Sequence, residues 1–377
     1  MEAATACPTV DPLTPQAGDE KREKALIAGG GVGALEAALA LRDLAGDRVA
    51  VELCAPRHEF VYRPFAVGEP FGTADILRYD LADLAARCSA SFRRGGIVSV
   101  DVDRREAVVL DGERVAYDYL VLALGARVLC AVPGAVTFWG VADEGLVGGI
   151  VHRLRTGSLR DVVFTMAGGG TWALPLYELA LLAAAVLAKS GVEDARLVVV
   201  TPEDAPLDLF GRAVAEEMER LLSERGIELV TGAHPVEFDG GALRIASGEP
   251  IEAEAVVSLP RLEGRRIEGI PHDEEGFVRV DEHGRVVGVD GVYAVGDVTA
   301  FSVKQGGIAA QQADVAAEAI AAAAGAAVEP APFDPVLRGA LGTGEEPRCI
   351  HGRYLSPFLD GLEQVKMGQW AMMASRS

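Results

Sequence analysis

The stretch Ala25-Leu26-Ile27-Ala28-Gly29-Gly30-Gly31-Val32-Gly33-Ala34 decides the fold. The apolar run reads as a buried parallel strand, the glycines as a tight turn, and Leu35 to Ala45 as a helix. Strand, glycine turn and helix in that order let backbone N–H groups at a helix N-terminus approach a pyrophosphate. A second turn of the same type, Gly168-Gly169-Gly170, follows Asp161 to Ala167 and precedes the apolar stretch Leu174 to Lys189. One such turn is a weak signal. Two in one chain point to two dinucleotides, with electrons passing between them.

Shorter elements surround these turns. Arg48 to Cys54 completes the first β-α-β unit, and Asp80 to Arg87 reads as a short helix. Ile97 to Val100, Ala107 to Leu110 and Arg114 to Ala116 alternate in polarity between charged turns and read as a three-stranded meander. Tyr119 to Ala123 is another buried strand, closed by Gly125. In the second unit, strands are expected at Leu197 to Val200 and Ile227 to Val230, with a helix from Gly211 to Arg225 between them. Val236 to Ser258 reads as further short strands, and an alanine-rich helix is expected from Gly306 to Ala323.

Composition excludes several classes. With 377 residues the chain has room for two or three domains. A net charge of −21 argues against nucleic acid, whose phosphates need a basic surface. It also disfavours broad docking on an anionic membrane, while leaving room for a local contact. The five cysteines, Cys7, Cys54, Cys88, Cys130 and Cys349, have no C-x-x-C or metal-ligand spacing, so no metal is expected. Their odd, scattered arrangement suits a reducing cytoplasm. Residues 1–23 are polar and acidic, lack the features of a signal peptide, and read as a mobile tail.

Four motifs occur in order: Gly29-x-Gly31-x-x-Ala34, Leu122-Ala123-Leu124-Gly125, Tyr293-Ala294-Val295-Gly296-Asp297 and Lys304-Gln305-Gly306-Gly307. Together they resemble the flavoproteins with two dinucleotide-binding domains, nearest to the type II NADH dehydrogenase and sulfide:quinone oxidoreductase group. The resemblance runs from about Lys24 to Ala340 and implies an α/β fold of two Rossmann-like domains, the second inserted in the first. It sets an FAD domain at 24–142 and 276–326, an NAD(P)H domain at 143–275, and a C-terminal segment at 327–377.

By this resemblance the first glycine turn, with Gly29, Gly31, Gly33 and Ala34, holds the FAD pyrophosphate. The ribose-binding acid that usually follows the second strand is missing, because that place reads Ala55-Pro56-Arg57. Either Glu52 reaches the ribose from within the strand, or backbone groups and Arg57 replace it; the second is favoured. Arg63, Pro64, Ala123 and Gly125 are further expected contacts. Asp297, after Gly296, is implied to bind the ribityl chain. The helix after Gly306 is implied to aim its N-terminus, with Gln305, Gly307 and Ile308, at the flavin pyrimidine ring. That end should favour the negative charge of reduced flavin by roughly 0.3–2 kcal/mol. Lys304 either adds a cation there or is a plain surface lysine.

Gly168, Gly170 and Thr171 are the expected contacts for NADH or NADPH. That match is imperfect: Trp172 is bulky, Ala173 stands at the third glycine position, and Pro175 where the group often has an acid. Glu203 follows the next strand, a position that favours NADH by binding the 2′-hydroxyl and repelling a 2′-phosphate. Glu178 is a candidate for proton handling, or simply an acid near a helix N-terminus.

The leading expectation is an FAD enzyme passing electrons from NAD(P)H to a quinone-like or other small acceptor. One rival is sulfide chemistry through Cys130 and Cys349. Another is a flavin-binding redox sensor with a degenerate nicotinamide site. A disulfide reductase is disfavoured because the first domain has no C-x4-C pair. The apolar C-terminal segment, with Tyr354, Phe358 and Trp370, reads as a membrane or quinone contact, a homodimer contact or a lid.

Overall fold

The computed structural model describes residues 22–140, 144–168, 172–345, 348–351 and 354–357. The first twenty-one residues, which hold nearly all of the expected tail, lie outside that set, as do Gly169, Gly170, Thr171 and residues 358–377.

Two five-stranded parallel sheets carry the chain. In chain order their strands are β1 (Glu23–Ala28), β2 (Val49–Ala55), β3 (Ser91–Arg94), β4 (Tyr119–Leu122), β5 (Val136–Thr137), β6 (Asp161–Thr165), β7 (Arg196–Val200), β8 (Ile227–Val230), β9 (Ala255–Ser258) and β10 (Val292–Ala294). The first sheet runs β10-β4-β1-β2-β3 and the second β5-β9-β6-β7-β8. The chain leaves the first sheet after β4, builds the second, and returns with β10 beside β4. β5 already lies on the second sheet, upstream of the boundary read at 142.

Among the described residues, six α-helices accompany these sheets: α1 (Val32–Ala45), α2 (Leu81–Arg87), α3 (Glu144–Arg155), α4 (Leu174–Ser190), α5 (Arg212–Glu224) and α6 (Gly306–Ala323). Ala34, Ala37 and Ala38 of α1 share one core with Ala313, Ala316 and Ala317 of α6. Small side chains let the two helices approach closely, which brings both N-termini to the same end of the first sheet. Asp80 caps α2 by accepting from the N–H groups of Ala82 (2.8 Å) and Asp83 (3.1 Å). α4 is buried almost all round, consistent with a helix apolar on every face.

The meander forms as a three-stranded antiparallel sheet, Ile97–Asp101, Glu106–Val109 and Arg114–Ala116, and covers the far face of the first sheet. Several elements lie outside the sequence expectations, among them β3, β5, α3 and one hairpin. α3 carries Val147, Ile150, Val151 and Leu154 into the second core. A hairpin of Glu59–Tyr62 with Leu77–Asp80 flanks the first domain. At the C-terminal end, Arg338–Leu341, Arg348–His351 and Tyr354–Pro357 form a further antiparallel sheet.

Candidate active site

The strand ends of the first sheet and the start of α4 surround a cavity of about 1180 Å³. Its first wall is the glycine turn. Gly29 has a φ of +139°, and a β-carbon there would lie 2.1 Å from the carbonyl oxygen of Ala123. Only glycine fits that position. A β-carbon on Gly33 would press Val295 at 3.2 Å, whereas one on Gly31 would meet nothing but the open cavity. Gly31 caps α1 without any side-chain hydrogen bond, and the first turn of α1 contains no acid. α6 begins in the same way behind Gln305. Two uncapped helix N-termini therefore face one cavity, which suits a negatively charged ligand.

The turn after β10 forms the second wall. The amide of Gly296 donates to Gln312 Oε1 at 2.7 Å, and the Thr299 hydroxyl donates to the Gly296 carbonyl at 2.9 Å. These bonds present Asp297 to the cavity. Burial pushes its carboxyl above the usual range, while the charges of Lys304 and Arg63 pull it back. Gln312 is a buried polar residue on the alanine face of α6, a signal the sequence offered and the motif reading passed over.

Lys304 is buried, not a surface lysine. Its ammonium lies 3.9 Å from the centre of the Phe277 ring and donates to the Thr299 carbonyl. Burial lowers it to about 8, against the opposing pull of Asp297, Asp273 and Glu275.

The other expected residues divide clearly. Ala55, Pro56, Arg57, Arg63, Pro64, Ala123, Gly125, Gln305, Gly306, Gly307 and Glu178 line the cavity. Ala34 and Ile308 are buried behind the lining. Glu52 does not line it either, being spent on ion pairs with Lys24 (2.6 Å) and Arg93 (2.5 Å). Burial raises the Glu52 carboxyl, but these two cations outweigh it and hold the group below its ordinary value. Of the described cysteines only Cys54 lines the cavity, and burial pushes its thiol up to about 11. Cys130 is exposed, with its thiol on the Val132 carbonyl.

On the second domain, Gly168 takes a φ of +78° and faces the Pro202 ring; Gly170 and Thr171 lie outside the described residues. Glu203 stands past β7, away from the cavity lining. Its Oε2 accepts from the Tyr177 hydroxyl (2.5 Å) and the Thr201 hydroxyl (2.9 Å), and its Oε1 from the Leu207 amide (3.2 Å). A carboxylate has about four acceptor positions, of which these bonds fill three. Burial raises the Glu203 carboxyl despite these donors.

A bridge across the cavity was not foreseen. The Gln305 amide donates to the Arg338 carbonyl at 2.6 Å, and Gln311 exchanges two bonds with the backbone of Val336. Four residues past Arg338, the Gly342 amide donates to Glu178 Oε1 at 2.7 Å. The stretch 336–342 thus ties the start of α6 to α4 and supplies Val336, Arg338, Gly339 and Ala340 to the lining.

Two parallel sheets beside one cavity, with a glycine at positive φ after β1 and after β6 (Gly29 and Gly168), have the form of a pair of dinucleotide-binding domains. The model of the pyridine nucleotide-disulphide oxidoreductase family matches residues 23–323, and the chain belongs to that family. An NADH dehydrogenase-like protein of Mycobacterium tuberculosis is 27% identical over 239 residues, covering 59% of this chain and 58% of that protein. The chain therefore spans just over half the length of that relative. The alternative NAD(P)H-ubiquinone oxidoreductase C1 of Arabidopsis thaliana is 25% identical, covering 79% of this chain and 65% of that protein. Among solved structures, the sulfide:quinone oxidoreductase of Aquifex aeolicus superposes with a TM-score of 0.76 at 20% identity, covering 87% of this chain and 83% of that one. The NDH2 of Plasmodium falciparum, solved in complex with NADH, gives 0.71 at 13% identity, covering 94% of each chain.

The family brings FAD and a pyridine nucleotide, and the residues present fit the flavin. A cradle closed to any β-carbon at Gly29, two uncapped helix ends and the cavity-facing Arg57 suit a pyrophosphate. Asp297 and Lys304 add one acceptor and one cation further along the same wall.

Proposed function

We propose that this protein takes a hydride from NADH or NADPH onto FAD and passes the electrons to a quinone-like or other small acceptor. In balance, NAD(P)H, one proton and the oxidised acceptor give NAD(P)⁺ and the two-electron-reduced acceptor. One observation carries the reading: the ends of α1 and α6, which fit the flavin, and the start of α4, which follows the second glycine turn, open on one cavity. Hydride transfer needs donor and flavin in contact, with no protein nucleophile. The names of the Mycobacterium and Arabidopsis relatives support the same direction of electron flow.

FAD supplies the ring that accepts the hydride and releases the electrons. The glycine turn and Arg57 would hold its pyrophosphate, Asp297 its ribityl hydroxyls, and the α6 N-terminus its pyrimidine edge. Lys304 would add a cation near that edge and so favour the reduced ring. Glu178, bonded to Gly342 and lining the cavity, handles a proton there. Glu203 favours NADH by offering its remaining acceptor position to the ribose 2′-hydroxyl. The reading places the protein in the cytoplasm, free or resting on a membrane through the C-terminal segment read at 327–377. Among the described residues, no helix is long and apolar enough to cross a membrane.

The test is an anaerobic visible spectrum of the purified protein before and after NADH, NADPH and sulfide, added in turn. Bleaching of the flavin by a nicotinamide nucleotide, faster with NADH, is expected. A flavin that stays oxidised with both nucleotides rejects the donor.

A further inference from the structure

The cavity continues beyond the groups that suit FAD. Past the ribityl wall it reaches the second sheet, where Phe138, Trp139 and Leu259 follow the ends of β5 and β9 and Trp172 precedes α4. Two of the chain's three tryptophans line this one space. The turn carrying Arg63 closes it from the first domain. Gly140, at a φ of +108°, seats the Trp139 segment against Ala66, a β-carbon there lying 3.3 Å from that of Ala66.

Arg63 is the unusual member. Its guanidinium lies over the Trp139 ring, 5.2 Å from the ring centre. Its side chain is exposed along the cavity and, among the described residues, makes no hydrogen bond and no ion pair. Arg127, on the same lining, is neutralised by Glu263 at 2.8 Å. The charge that favours Arg63 is Asp297, while Arg57 and Arg265 oppose it. An exposed guanidinium over an indole, at the edge of the cavity and beside the apolar Phe138 and Leu259, is placed to donate to an oxygen acceptor carried on a planar ring.

We propose that Arg63 and Trp139 form the acceptor subsite, with the Arg63 guanidinium donating to a carbonyl oxygen of a quinone whose ring lies against Trp139. This rests on the oxidoreductase reading above and reassigns Arg63 from the cofactor to the acceptor. Trp139 stands on the second domain's side of the cavity. The pyrophosphate cradle, with Arg57, stands on the first.

The experiment titrates the FAD-loaded protein, in the oxidised state and without donor, with menadione, and follows the quenching of tryptophan fluorescence. Arg63→Gln is expected to weaken binding about tenfold or more, as does Trp139→Leu. Arg63→Lys, which keeps the charge but not the fork, should recover part of the loss, and Trp139→Phe most of it. Flavin content and the thermal unfolding midpoint verify that each variant is folded. Equal menadione affinity across the four variants overturns the subsite. So does loss of flavin from folded Arg63→Gln, which would give the arginine to the cofactor, or weakened NADH binding with menadione unaffected, which would give it to the donor. Because the titration needs no reduction, it reads the subsite even if no nicotinamide nucleotide bleaches the flavin.

Discussion

Gly29 and Ala123 meet where strands β1 and β4 end: a β-carbon on Gly29 would stand 2.1 Å from the Ala123 carbonyl oxygen. The same two strands are joined by the Ala123 amide, which donates to the Ala28 carbonyl at 2.8 Å. The glycine turn can neither move away nor accept a side chain. Gly29→Ala should therefore destabilise the protein by roughly 2–4 kcal/mol and empty the cofactor site. Denaturant unfolding and flavin content check both. Gly31→Ala, which places its methyl in the open cavity, should reduce flavin content with little change in the stability of the apoprotein.

Asp297 separates function from stability. Burial holds its carboxyl above the ordinary value, so the ionised form is a cost to the folded apoprotein. The part of stability owed to this group is greatest at low pH, where the carboxyl is protonated in both states. It falls as pH rises from the unfolded value through the higher folded one. Asp297→Asn should leave the apoprotein at least as stable at neutral pH while weakening FAD binding by about tenfold or more. A loss of both, or of neither, contradicts the role.

Lys304 gives a pH dependence of opposite sense. Its ammonium is lowered from 10.5 to about 8, so between these values the unfolded chain binds the extra proton. Apoprotein stability should therefore rise with pH across that window, by at most roughly 3 kcal/mol, with the full penalty present below about 8. Lys304→Met should abolish the rise. In the loaded enzyme the same substitution should lower the flavin midpoint potential by about 30 mV.

Tyr177 and Glu203 form a part-buried pair at 2.5 Å beyond the end of β7. Tyr177→Phe leaves a part-buried carboxyl one donor short and should cost about 1–3 kcal/mol, read by thermal unfolding. Glu203→Gln removes the charge that opposes a 2′-phosphate and should narrow the ratio of NADH to NADPH affinities.

Much of this architecture was readable along the chain, because its signals are local. A glycine turn between an apolar run and an alanine-rich helix announces itself within ten residues, and Gly296-Asp297 follows its strand directly. α3 was missed because Gly148 and Gly149 interrupt an otherwise regular apolar spacing; burial of Val147, Ile150 and Leu154 in the second core overrides that weakness. The role of Glu52 was left open because its partners, Lys24 and Arg93, come from outside its own strand. The bridge at 336–342 joins residues as distant as Glu178 and Gly342, and no local pattern encodes such a bond. Trp139 escaped notice because its meaning depends on Arg63, which reaches it from the other domain's turn.

FAD is expected in the cavity between the Gly29 turn, Asp297 and the start of α6. The most direct measurement releases the bound flavin from the purified protein by denaturation, identifies it by mass and counts it against protein. One FAD per chain is expected, with Asp297→Asn and Gly29→Ala falling well below that ratio. A colourless protein that stays colourless after incubation with FAD contradicts the account.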